Sequence, residues 1–121
     1  MTDQFFFDSY ALIELIKGNP IYRNYLDARV ITTKLNLFEI CFHLIKNSGE
    51  EKAKDYLEKL TKLIIDFDDK LILHAAAFKL NKITDNLSMA DCIGYVISLI
   101  SGIKFLTGDE KFKNMPNVEF V

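Results

Sequence analysis

Residues 4–8 read Gln-Phe-Phe-Phe-Asp, and residues 105–109 read Phe-Leu-Thr-Gly-Asp. Each segment is a short apolar run followed by a carboxylate, and such runs are typical of strands buried on both faces. Between them, strand-like and helix-like patterns alternate, which predicts a parallel or mostly parallel sheet covered by helices on both faces. Ligand sites in such sheets form beyond the carboxyl ends of the strands, where Asp8 and Asp109 would both lie.

Periodicity and end signals assign the elements along the chain. The expected strands are residues 5–7, 29–31, 63–67, 104–106 and 118–121. The first expected helix is capped by Ser9 and ends at residues 18–20, and the helix that contains Glu39 is capped by Thr32 or Thr33 and ends at residues 47–49. The other expected helices are residues 22–26, 50–60, 68–82, 88–101 and 109–113.

The composition is that of one globular domain, residues 1–121. Half of the residues are hydrophobic, 26% are charged, and no repeat or linker divides the chain. Charged residues interrupt every apolar stretch before it reaches membrane-spanning length, and no signal peptide is recognisable, so we expect a cytoplasmic protein. Cys41 and Cys92 fall inside apolar helical patterns and are expected to be buried, reduced thiols. A net charge of −2 argues against binding nucleic acid by charge alone.

Glu39 is the only acid between residues 30 and 45. The apolar side chains around it cover most of the helix circumference, so we expect this helix to be largely buried; the stripe that flanks Glu39 is Leu35, Phe38, Phe42 and Ile45. An isolated carboxylate there would cost several kcal/mol unless its charge were compensated. A hydrogen bond from His43, one turn further along, is the alternative explanation.

The other three acids each have a structural explanation when considered alone. Asp8 precedes a helix and would favour its positive end, Asp109 can cap a short helix, and Ser88 with Asp91 has the spacing of a capping box. Yet two like charges about 4 Å apart repel by roughly 4 kcal/mol at an effective dielectric near 20. One divalent cation shared by Asp8, Glu39, Asp91 and Asp109 would explain all four, and their oxygen ligands favour Mg²⁺ or Mn²⁺.

Four stretches resemble, in order, the four motifs of PIN domains, and most closely those of the VapC-type toxins of prokaryotic toxin–antitoxin pairs. They are F-D-S-Y-A-L at residues 7–12, N-L-F-E-I at residues 36–40, S-M-A-D-C-I at residues 88–93 and F-L-T-G-D-E-K-F at residues 105–112. The resemblance covers nearly the whole chain. The last pair of motifs is the most specific, both in amino-acid sequence and in the spacing between the two motifs.

The resemblance implies the α/β class, with a three-layer α/β/α sandwich on a short, mostly parallel sheet, and a Mg²⁺- or Mn²⁺-dependent endoribonuclease that acts on RNA. It implies that metal is bound, and catalysis carried out, by Asp8, Glu39, Asp91 and Asp109. By the same resemblance, Ser9 and Thr107 orient ligands or substrate, and Asn36 fills a position that Ser or Thr often occupies.

The implied partners are a second copy of the chain, in a homodimer, and a cognate antitoxin that inserts a segment near the active site. A candidate docking surface for the antitoxin is formed by Tyr10, Ile13, Tyr22, Tyr25 and Leu26. Ordinary packing between two neighbouring helices would explain these side chains equally well.

Three other functions fit parts of the pattern. A phosphoacceptor receiver domain has a similar size, and Asp66 after an apolar run could be its acceptor, but the paired acid after the first strand and the lysine after the last are missing. A phosphatase of the Asp-x-Asp type would need an acid where Tyr10 stands. A degenerate PIN domain that only binds RNA or a partner is the third alternative.

Overall fold

The computed structural model describes residues 3–121. Four strands form one sheet in the order β2-β1-β3-β4, and every pair is parallel; the strands are β1 Gln4–Phe7, β2 Arg29–Ile31, β3 Lys104–Thr107 and β4 Val118–Phe120. The helices are α1 Ser9–Ile16, α2 Lys34–Ser48, α3 Glu50–Leu60, α4 Asp69–Asn81 and α5 Met89–Ser101. Short 3-10 helices occupy Pro20–Tyr25, Thr61–Leu63, Ile83–Asp85 and Glu110–Phe112.

Alternation along β1 divides the core into two layers. Phe5 and Phe7 pack on one face of the sheet with α1, α2 and α3, whereas Phe6 packs on the other face with α4 and α5. Successive strand side chains point to opposite faces, so a strand that is apolar throughout needs helices on both sides. The predicted three-layer α/β/α sandwich is confirmed, and its described sheet is entirely parallel.

Gly94 brings α5 close to the sheet. The ring of Phe6 stacks on Phe105 with 5.7 Å between centroids, and a Cβ on Gly94 would lie only 2.5 Å from the Phe6 ring. The helix therefore rests directly on the central strands. Because Asp91 lies one turn before Gly94, this contact also fixes where the first turn of α5 stands at the end of the sheet.

Polar side chains cap the starts of α1, α2, α4 and α5. Asp8 itself is the N-cap of α1, with its Oδ1 accepting a hydrogen bond from the Ala11 amide at 2.8 Å, so the expectation that Ser9 caps this helix is wrong. An acid at this position satisfies an orphan amide and also favours the helix dipole. Thr33 caps α2, and Ser88 with Asp91 forms a complete capping box on α5.

Residues 63–67 do not form the predicted strand. A single parallel bridge joins Ile64 to Thr32, with amide–carbonyl hydrogen bonds of 3.2 and 2.9 Å on either side of it. Longer pairing is impossible because β2 ends at Ile31 and Thr33 already caps the next helix. The helix expected over residues 22–26 is the 3-10 helix Pro20–Tyr25.

Helix α2 is less buried than the sequence suggested. Phe38 is 73% exposed, Phe42 63% and Ile45 49%, so three side chains of the stripe expected in the core face outward and only Leu35 packs against the core. The opposite face, which includes Leu37 and Ile40, is buried instead.

Two further expectations change with burial. Cys41 is only half-buried, although both cysteines are unpaired as expected. Tyr22 is buried and cannot belong to an exposed docking surface, whereas Tyr25 is only partly buried against the core. No helix within residues 3–121 is long and apolar enough to cross a bilayer.

Candidate metal centre

A cavity of about 420 Å³ lies at the carboxyl ends of β1 and β3. All four acids singled out in the sequence line it: Asp8, Glu39, Asp91 and Asp109. They come from a strand end, the middle of α2, the first turn of α5 and the turn after β3, so only the fold brings them together. The remaining wall is formed by Ser9, Tyr10, Ile13, Phe38, Phe42, His43 and Ser88.

Asp8 is the deepest of the four acids, at 2% exposure. Its Oδ1 accepts from the Ala11 amide, and its Oδ2 accepts from the hydroxyl of Thr107. Burial raises the pKa of Asp8 to about 7; these hydrogen bonds oppose the shift, and the charges of Asp91 and Asp109 add to it.

Thr107 joins Asp8 to Asp109. Its hydroxyl donates to Asp8 and accepts from the Asp109 amide at 2.9 Å. The Asp109 carboxylate turns forward and accepts from the Lys111 amide at 3.0 Å, which caps the short 3-10 helix. Thr107 is fully buried and is not part of the cavity wall, so it orients the acids from behind rather than facing a ligand.

Glu39 is positioned by a second chain of hydrogen bonds. The side-chain amide of Asn36 donates to the Ser9 hydroxyl at 3.0 Å, and that hydroxyl donates to Oε1 of Glu39. Burial raises the pKa of Glu39, opposed by hydrogen bonds from Ser9 and Ser88, and the charge of Asp91 raises it further. His43 faces Asn47 instead of Glu39, so the hydrogen bond proposed as an alternative explanation for Glu39 is not formed.

Asp91 combines a capping role with a place in the cavity wall. Its Oδ2 accepts from the Ser88 amide at 2.9 Å, and its own amide donates to the Ser88 hydroxyl at 3.0 Å. Burial raises the pKa of Asp91; Ser88 and the charge of Lys111 lower it, while Asp109 raises it.

The carboxylate groups of the four acids do not converge on one point. Within residues 3–121, no three His, Cys, Asp or Glu side chains stand close enough together to hold a metal ion. Their hydrogen bonds are consistent with this, because Asp91 turns back to the Ser88 amide and Asp109 turns forward to the Lys111 amide. A carboxylate has about four acceptor sites, however, so one capping bond leaves most of them free.

The chemistry of the donors fits a hard divalent cation. Four carboxylates supply only oxygen ligands, which Mg²⁺ and Mn²⁺ prefer. In the described part of the chain, His43 is the only basic side chain in the cavity wall, so no lysine or arginine there balances the negative charge. The role of the four acids as metal ligands remains a prediction.

The sequence did not identify all of the cavity wall. Phe38 and Phe42 were assigned to the core because they continue an apolar helical stripe, and only the packing of α2 reveals that they are exposed. Ser88 was noted as a helix cap, and its hydroxyl also faces the cavity. Asn36, expected beside the site, is buried behind Ser9 and does not line the cavity.

The profile of the PIN domain family matches residues 5–118, nearly the whole chain. A comparison with curated protein sequences finds no match.

Several solved structures share the fold. A toxin–antitoxin complex from Klebsiella pneumoniae matches with a TM-score of 0.73 and 18% identity over 95% of each chain. The sarcin-ricin loop cleaving toxin VapC20 of Mycobacterium tuberculosis matches with a TM-score of 0.77 and 16% identity, covering 95% of this chain and 97% of that one. VapBC2 of Rickettsia felis, bound to a DNA fragment from its promoter, matches with a TM-score of 0.70 and 17% identity, covering 98% of this chain and 97% of that one.

Replacing Asp8 with Asn should change how stability depends on pH. The folded-state pKa of Asp8 is raised from 3.8 to about 7, so the folded wild type binds this proton more tightly than the unfolded chain does. Its contribution to stability is then greatest below about pH 4 and is lost as the pH rises to about 7. Asn cannot titrate, and its Oδ1 can still accept from the Ala11 amide.

We therefore expect Asp8→Asn to gain stability over wild type between pH 4 and pH 8, by up to about 4 kcal/mol for three pKa units. Urea unfolding at both pH values in EDTA measures this, with Asp66→Asn, an exposed acid outside the cavity, as the control. An equal difference between Asp8→Asn and wild type at the two pH values would contradict it.

Proposed function

The chain belongs to the PIN domain family, and on that premise we propose that it is a metal-dependent endoribonuclease that hydrolyses RNA phosphodiester bonds, the toxin of a type II toxin–antitoxin pair. The observation that carries the proposal is the meeting of four sequence-distant acids in one cavity beyond the carboxyl ends of the parallel strands. This is where α/β folds form their sites.

In this proposal Asp8, Glu39, Asp91 and Asp109 hold Mg²⁺ or Mn²⁺. A bound divalent cation lowers the pKa of a water and offsets negative charge on a phosphate. The chain's own hydrogen bonds keep the carboxylates oriented: Thr107 holds Asp8 and the backbone leading to Asp109. No lysine or arginine lies in the described cavity wall, and Lys111 beside it offsets only part of the charge of Asp91, so we expect activity to depend on metal.

We propose RNA as the substrate and the cytoplasm as the site of action because the chain belongs to this family. The similar Mycobacterium tuberculosis protein is a toxin that cleaves the sarcin-ricin loop. The other structures are toxin–antitoxin assemblies. At 16–18% identity these likenesses show the fold alone.

The receiver-domain alternative finds little support. Asp66 is exposed and lines a different cavity, of about 650 Å³, between α4 and α5. None of the four acids lines that cavity, and its other residues are mostly apolar, so the second acid that such a site needs would have to be Asp68. A degenerate, binding-only PIN domain is disfavoured because all four acids are present and line one cavity.

Cleavage of RNA tests the proposal directly. With single-stranded RNA and Mg²⁺ or Mn²⁺, we expect wild type to cut and Asp8→Asn and Asp91→Asn to lose at least about 100-fold in rate, because each removes a charged ligand. Asp66→Asn is the matched control and should cut like wild type. Cleavage should stop with EDTA and return with added Mn²⁺. Equal activity of wild type, Asp8→Asn and Asp91→Asn would refute the catalytic assignment.

The antitoxin would dock in a groove between α1 and α2. Phe38 and Phe42 rise from α2 at 73% and 63% exposure, opposite Tyr10 and Ile13 of α1. A second cavity of about 290 Å³ shares Ile13 with the acidic one and continues the groove along both helices. An amphipathic segment with apolar side chains, and a basic side chain toward the acids, complements this surface.

Substitutions in the groove should separate antitoxin binding from catalysis. We expect Phe42→Ser to weaken binding of the small protein encoded beside this gene by about tenfold or more, because a large exposed aromatic side chain anchors such contacts. Ile83→Ser, at 70% exposure away from the groove, is the control. Calorimetry on purified proteins provides the measurement, and an unchanged Kd for Phe42→Ser would place the antitoxin elsewhere.

Helix α4 is the proposed homodimer surface. It buries Leu71 and Ala75 against α5, yet Leu73 and Leu80 on its other sides are 70% and 69% exposed. A helix that is apolar on several sides is normally covered on all of them, and a second copy of the chain would cover these.

We expect Leu73→Lys to convert a dimer into a monomer in light-scattering measurements, since a charge would then be buried at the interface. The matched control is Leu26→Lys, a residue 67% exposed on another face. A wild type that is monomeric at 100 μM, or a Leu73→Lys variant that remains dimeric, would contradict this surface.

A further inference from the structure

Gly108, between Thr107 and Asp109, has no room for a side chain. A Cβ at this position would lie 2.3 Å from the hydroxyl oxygen of Tyr22 and 2.5 Å from Cε1 of Tyr10. Gly18, Gly49 and Gly102 have positive φ angles, but Gly108 does not. Its backbone suits any residue, so the two tyrosines rather than the conformation require glycine here.

The two tyrosines differ in their freedom to move. Tyr10 is 45% exposed on α1 and lines the acidic cavity, so its ring can shift toward solvent. Tyr22 is 2% exposed in the 3-10 helix Pro20–Tyr25 and is enclosed by the core. Of the two contacts on Gly108, the one from the Tyr22 hydroxyl is therefore the rigid one.

The Tyr22 hydroxyl is also the one buried side-chain polar atom in residues 3–121 without a hydrogen-bond partner. Leaving such a group unpaired costs about 1–3 kcal/mol. Phenylalanine would keep the packing of the ring without that cost. The hydroxyl thus adds little to packing stability, and its contact with Gly108 is the feature it contributes.

The contact lies behind the cavity wall, at the turn that leads from Thr107 to Asp109. The Asp109 amide donates to Thr107, whose hydroxyl donates to Asp8, so the turn at Gly108 sets where Asp109 stands relative to Asp8. We infer that the Tyr22 hydroxyl is a stop against which the turn at Gly108 rests, making Tyr22 a positioning residue for the acidic site. The inference deepens the proposed function and rests on it.

Two substitutions, alone and together, test this stop. Tyr22→Phe removes it and leaves a gap, so we expect a higher thermal midpoint but Mn²⁺ affinity weakened by about threefold. Gly108→Ala pushes the turn away, and since a displacement of about 1 Å can cost about 100-fold, we expect kcat to fall by about 10- to 100-fold with a smaller change in KM. In the double variant the new methyl group occupies the gap, and both values should recover toward wild type.

The matched control is Tyr25→Phe, on the same 3-10 helix, whose hydroxyl donates to Glu119 at 2.7 Å. It should neither weaken Mn²⁺ binding nor rescue Gly108→Ala. Mn²⁺ affinity is measured by electron paramagnetic resonance without RNA, so the stop can be tested even if the chain does not cleave RNA.

The stop is overturned if Tyr22→Phe raises the midpoint while leaving Mn²⁺ affinity and kcat unchanged, which is the outcome of a purely structural role. It is equally overturned if the double variant is no better than Gly108→Ala. A wild type that binds no Mn²⁺ would overturn the acidic metal site and the stop with it, whereas Mn²⁺ binding without RNA cleavage would count against the substrate alone.

Discussion

Negative charge enclosed at the carboxyl end of the sheet is the constraint on which this structure depends. Asp8 is almost fully buried, and Asp91 and Asp109 are near enough for their charges to raise its pKa. No lysine or arginine in the described cavity wall offsets this charge. Gathering these charges opposes folding, since each buried carboxylate must be desolvated and its hydrogen bonds offset only part of that cost. The arrangement is understandable when a cation is part of the working protein.

The same carboxylates also hold the framework together. Asp8 and Asp109 each cap the helix that follows them, Asp91 completes the capping box at the start of α5, and Glu39 accepts from Ser9. Capping and metal binding are therefore not alternatives here, because a carboxylate that accepts one backbone hydrogen bond keeps most of its acceptor sites. Capping gives each acid a defined orientation before any ligand arrives. The four carboxylates do not converge on one point in this structure, so a bound cation would require them to rotate toward it.

Much of the fold could be predicted because local signals agree with it. Apolar runs such as Phe5–Phe7 gave the central strands, and the capping sequence at Ser88 gave the start of α5. Prediction failed where the outcome depends on neighbouring elements. Whether residues 63–67 pair as a strand depends on how soon α2 begins, and whether Phe38 is buried depends on which side of α2 meets the sheet. The four acids could be recognised from the apolar runs and helix starts beside them in the sequence. The contact between Tyr22 and Gly108 joins residues far apart in sequence, so no local pattern predicts it.

The central claim is that Asp8, Glu39, Asp91 and Asp109 share a divalent cation. The most direct measurement is anomalous X-ray scattering at the manganese edge from crystals of the wild-type chain grown with Mn²⁺. The account expects an anomalous peak inside the acidic cavity, within about 2.0–2.6 Å of carboxylate oxygens from at least two of the four acids, as oxygen-ligated cations require. A cavity that stays without a peak at millimolar Mn²⁺, or a peak that lies only elsewhere on the protein, would contradict it.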